Sequence, residues 1–83
     1  MEYLLVRELK ANGFPGSKHW SLESDDRLPD LSMLIRACGK RFKKLRRNKR
    51  DRWKAVGTNA VEIDKTPEDA VGSLWLFLEH NKT

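Results

Sequence analysis

The sequence predicts an α+β fold, a single small domain with three helices and a small, mostly antiparallel sheet. Two observations carry that expectation. Apolar residues recur at helical spacing in three segments that each have a start or stop signal, and stretches between them alternate as strands do. The chain has 83 residues, and no internal repeat or low-complexity linker divides it, so one core is the economical arrangement. A domain of this size buries only about 60–65% of its unfolded surface, which leaves a thin margin of stability.

Residues 2–12 form the first expected helix, with Leu5, Val6 and Leu9 inward and Tyr3 or Leu4 flanking them. Its stop is marked by Asn12-Gly13-Phe14-Pro15. Gly13 suits the left-handed position after the helix, Phe14 can touch back to Leu9, and Pro15 forbids continuation. After a turn at Pro15-Gly16-Ser17, Lys18–Glu23 alternates Trp20 and Leu22 against His19, Ser21 and Glu23, which reads as a short strand. Ser24-Asp25-Asp26 turns the chain again, and Arg27-Leu28 would pair back.

Asp30 is an N-cap for the second helix, in which Leu31, Leu34, Ile35 and Cys38 share one face. Phe42 and Leu45 extend that periodicity, so one long basic helix to about Arg50 competes with a stop at Gly39. Glycine costs ~1 kcal/mol in a helix interior and suits a helix end. Like charges at helical spacing add repulsion. The stop is preferred. Arg41–Arg47 and Arg52–Thr58 then read as antiparallel strands around Asn48-Lys49-Arg50-Asp51, with Trp53, Ala55 and Gly57 on one face. Ala60–Asp64 leads onward with Val61 and Ile63 alternating.

The last helix, Thr66–Asn81, is the best specified. Thr66 suits the N-cap, Pro67 the first helical position, and Asp69 the acid of a capping box. Glu68 and Asp69 also favour the positive end of the helix dipole. Ala70, Val71, Leu74, Phe77 and Leu78 form its stripe, widened by Trp75 and Leu76. The first and last helices are expected on one face of the sheet, with Leu5, Leu9, Phe14, Leu34, Ile35, Val71, Leu74 and Leu78 in the core.

Charge gives the main functional clue. The net charge is +5, but ten Lys and Arg against one acid, Asp51, put +9 between Lys40 and Lys54 and leave −4 elsewhere. A basic hairpin lobe at about 40–58 therefore projects from a mildly acidic body within the single domain 1–83. Its cations cannot be buried and repel one another, and a polyanion would relieve that by releasing counterions. The candidate nucleic-acid-binding residues are Arg41, Lys43, Lys44, Arg46, Arg47, Lys49, Arg50, Arg52 and Lys54, with Trp53 and Phe42 able either to stack on bases or to sit in the core. An acidic protein partner and a merely solvated hairpin are the competing readings.

Several function classes are disfavoured. One cysteine, Cys38, excludes an intramolecular disulfide and a cysteine-based zinc site within one chain, so a reducing cytoplasm is expected. No apolar run approaches the ~20 residues of a membrane span, and the first residues lack the features of a signal peptide. His19 and His80 are far apart, and no Ser/His/Asp grouping, phosphate-cradling loop or metal-ligand cluster occurs. No enzyme activity and no cofactor are expected. A helix–strand–strand–helix order invites comparison with double-stranded-RNA-binding domains, but Glu68 and Asp69 stand where those carry lysines. Trp75, at the edge of the last helix's stripe, is the candidate for an exposed protein-interaction anchor.

Leu-Lys-Ala-Asn-Gly-Phe-Pro, Leu-Ser-Met-Leu-Ile-Arg-Ala-Cys-Gly, Trp-Lys-Ala and Thr-Pro-Glu-Asp-Ala-Val-Gly-Ser-Leu-Trp-Leu, in that order, resemble a group of small uncharacterised bacterial and prophage proteins. The resemblance spans most of the chain and implies a mobile-element context with a break at Gly39. It carries no assigned activity and so no functional residues. The chain departs from the group in Lys40–Lys54, which is more basic. The last strand and helix are also similar to the HicB-type antitoxin domain; the alternative role is a protein-interaction module, such as an inhibitor or antitoxin-like partner, using the same lobe or an exposed aromatic.

Overall fold

The computed structural model describes residues 3–20 and 29–80. It shows an α+β domain in the order α1 (Tyr3–Ala11), α2 (Leu31–Cys38), β1 (Phe42–Arg47), β2 (Trp53–Gly57), β3 (Ala60–Asp64) and α3 (Pro67–His80). The strands form an antiparallel meander in the order β1-β2-β3. Among the described residues no helix is long and apolar enough to cross a membrane.

Four of the helix boundaries have a local cause. At the end of α1 the amides of Gly13 and Phe14 donate to the carbonyls of Lys10 and Leu9, at 3.1 and 3.0 Å, with Gly13 at φ 76°. This pair of bonds uses carbonyls that the helix itself leaves unpaired, and it swings Phe14 back over the helix. The Asp30 carboxylate accepts from the Met33 amide at 2.8 Å, and the Thr66 hydroxyl from the Asp69 amide at 3.1 Å. α2 does stop at Gly39, whose φ of 61° a β-carbon would oppose. A single 3₁₀ turn, Gly39–Arg41, then redirects the chain into β1.

α3 is the hub. It lies on β2 and β3, while α1 and α2 both pack against it. The expected pairing of first and last helices on the sheet is thus corrected: α1 packs mainly on α3. Gly72 permits this approach, because a β-carbon there would stand 3.2 Å from Leu5 Cδ2. The core is Val6, Leu9, Phe14, Trp20, Leu34, Cys38, Ala55, Ala60, Ala70, Val71, Leu74, Trp75 and Leu78, with Leu5 and Ile35 half-buried against it.

Two further expectations are corrected. Lys18 and His19 lie in a 3₁₀ turn, Ser17–His19, and Trp20 caps it, its ring tilted 40° to that of Phe14 with centroids 5.3 Å apart. The rest of the anticipated strand, and the Arg27-Leu28 return, fall outside the described residues. On α3 it is Trp75 that is buried and Phe77 that is 41% exposed. Two residues apart means about 200° around the helix, so one buried face cannot hold both. Phe14 covers the Trp75 side, with ring centroids 5.0 Å apart and edge-on.

Candidate nucleic-acid interface

The β1–β2 hairpin is where the sequence places it. The last strand pair is Arg47 opposite Trp53, and the Asn48 amide then donates to the Arg52 carbonyl across the tip. Lys49, Arg50 and Asp51 make the turn, with Asp51 left-handed at φ 55°. A three-residue hairpin loop needs a left-handed residue at that point, and aspartate tolerates it better than most. At the other end a bulge at Lys43 interrupts the register between Phe42 and Lys44, which bends and twists the strand.

Cross-strand partners share a face, so the register sorts the candidate cations. Lys44, Arg46 and Lys54 belong to the face away from the helices, while Trp53 lies with Ala55 and Gly57 on the helix side. Lys43, Lys44, Arg46, Arg47, Lys49, Arg50 and Arg52 are exposed, and Lys54 is half-buried. Arg46, Arg47, Lys49 and Lys54 converge with Asn48 and Ile63 on a concavity of about 220 Å³ whose lining contains no acid. Arg47 is partly neutralised there by Asp51, 2.7 Å away, in a pair so exposed that it holds little energy.

Three candidates leave the site. Arg41 precedes β1, in the turn after α2, and its guanidinium donates to the Leu78 carbonyl at 3.2 Å and to Glu79 at 3.0 Å. It satisfies one of the unpaired carbonyls at the negative end of α3 and ties the hairpin's root to that helix. Trp53 is half-buried against the core, so it offers no stacking surface on the outer face. Trp75 is 3% exposed and packed on Phe14, which removes it as a surface anchor.

The outer face holds residues that counting charges overlooked. Val56, Val61 and Ile63 share it with the cations, and Val61 and Ile63 are 51% and 47% exposed. Their alternation shows in the sequence, but it does not say which side α3 will cover. The covered side of β3 carries Ala60, Glu62 and Asp64. Burial, then the charge of Asp64, pushes the Glu62 carboxyl above its usual range. With Glu8, Ser73, Leu76, Phe77 and His80 it lines a second, open groove of about 420 Å³, whose acids would repel phosphate.

The single cysteine, Cys38, is buried. Burial pushes the Cys38 thiol up to about 11, with nearby Arg41 opposing the shift and Glu79 adding to it. A thiol so protonated is a poor nucleophile at neutral pH. Among the described residues no three His, Cys, Asp or Glu side chains group to hold a metal ion. Compared with protein-family models, curated proteins and solved structures, the chain finds no match.

Proposed function

We propose that this chain is a non-enzymatic nucleic-acid-binding module, acting through the β1–β2 hairpin as a cytoplasmic accessory protein of a phage or prophage. The mobile-element context comes from the resemblance described above. One observation carries the binding reading: Arg46, Arg47, Lys49 and Lys54 share a concavity lined by no carboxylate. Mutual repulsion costs stability in the free protein, and phosphate oxygens would turn that cost into attraction. Binding of this kind is electrostatic and weakly sequence-selective.

The test is retention on immobilised DNA and RNA. The native chain should be retained and released by salt, and the quadruple change Arg46/Arg47/Lys49/Arg50→Ala should abolish retention. Equal retention of that variant would refute the reading. A second reading, docking of an acidic protein partner, is favoured by Val61 and Ile63 being exposed on the cations' own face. It predicts a captured partner that survives nuclease treatment.

A further inference from the structure

The register places Lys44, Val56 and Val61 in one row across the sheet, and Arg46, Lys54 and Ile63 in the next. All six lie on the face that α3 leaves uncovered. None is acidic and none is aromatic. Neighbouring strands lie about 4.8 Å apart, and the B-DNA major groove, about 12 Å wide, admits a two-stranded β-ribbon. A face that is aliphatic at one edge and cationic at the other has a chemical counterpart in that groove. Thymine methyls meet aliphatic side chains, guanine O6 and N7 accept from arginine and lysine, and the phosphates flank both.

We infer that the helix-free face of the sheet seats in the major groove of duplex DNA, with Ile63 and Val61 against base edges and the hairpin tip on one phosphate backbone. This rests on the nucleic-acid reading above and names its ligand. The chemistry of the face disfavours the other nucleic acids. Single strands are gripped by stacking on aromatic side chains, which this face lacks. The A-form RNA major groove is too deep and narrow for a sheet to enter.

The experiment is fluorescence anisotropy of the full chain on three labelled probes of one sequence: a DNA duplex of about 16 bp, the matching RNA duplex and the single DNA strand. At about 0.1 M salt the DNA duplex should bind at least about tenfold more tightly than either alternative. Methyl green, which occupies the major groove, should displace the protein, whereas the minor-groove ligand netropsin should not. Ile63→Glu, which puts an acid between phosphates, should weaken duplex binding by about tenfold or more with an unchanged circular dichroism spectrum. Should that variant lose its fold, Lys44→Gln reads the same surface without removing apolar packing, and a several-fold loss is expected. Equal or tighter binding of RNA or single strands, displacement by netropsin alone, or a folded variant with native affinity would overturn the groove assignment while leaving the basic-hairpin reading intact. Failure to bind any of the three probes would overturn both.

Discussion

Gly57 is the residue on which the hairpin's attitude to the body most depends. A β-carbon there would lie 2.8 Å from the Arg41 carbonyl oxygen and 3.2 Å from Leu74 Cδ1. The first of these is a backbone atom, and it is held. The Thr58 amide donates to that oxygen at 2.9 Å, and Gly57 is paired with Phe42 on one side and Ala60 on the other. Gly57→Ala must therefore push β1 away or displace Leu74, which is fully buried. Overpacking of this kind costs about 1–3 kcal/mol, and weakening the Thr58–Arg41 bond adds about 1 kcal/mol. Replacing a strand glycine returns about 0.5–1 kcal/mol of backbone entropy. The net loss is about 1–3 kcal/mol, and each kcal/mol lowers Tm by about 4–8 °C in a domain of this size. Urea unfolding followed by tryptophan fluorescence should show a lower midpoint at unchanged slope. A midpoint equal to or above the native one would refute the close approach of Arg41 to β2.

Other expectations follow from single side chains. Arg41→Ala should cost about 1 kcal/mol of stability, since its contacts are partly solvent-screened, yet leave nucleic-acid affinity unchanged; a marked loss of affinity would return Arg41 to the binding surface. Glu62 has a raised carboxyl pKa, so ionising it opposes folding, and that penalty grows as pH rises from the ordinary glutamate range through the raised value. Glu62→Gln should therefore gain stability relative to the native chain at pH 7 but not below the unfolded glutamate pKa of about 4.3, and a gain equal at both pH values in thermal melts would contradict this. The Cys38 thiol, buried and shifted to about 11, should resist alkylation at pH 8 in the native chain and react fully in denaturant. Native-state reaction at the rate of a free small thiol would count against its placement.

The parts of this fold that were legible in sequence are those governed by a few neighbouring residues. Gly13, Asp30, Gly39 and Thr66 each bring their own stop or cap, and all four do in the structure what their chemistry requires. The hairpin was legible for a similar reason: alternation and a polar turn are local. What escaped depends on who lands where. Six alternating residues around Trp20 read as a strand, but Phe14 claims the indole and Ser17–His19 form a 3₁₀ turn leading into it. Trp75 and Phe77 look equally eligible for the stripe of α3, and the packing of Phe14 on Trp75, distant in sequence, decides between them. The site divides along the same line. Counting charges located the cationic hairpin, yet it could not separate Arg41, bound to α3, from Arg46 and Lys54 on the outer face, because a partner 38 residues away leaves no local mark. Nor could it show that Val61 and Ile63 would be left outside.

The central claim is that the outer-face and tip cations of the hairpin, and not the chain's net charge in general, meet phosphate. It is tested most directly by the salt dependence of duplex DNA binding for the native chain, for Arg46→Ala/Lys54→Ala and for Arg41→Ala. Each phosphate contact contributes about 0.9 to the slope of log K against log salt concentration. The double variant should lose about 2 from that slope, and Arg41→Ala should keep the native value. An equal slope for all three proteins, or a loss confined to Arg41→Ala, would contradict the account.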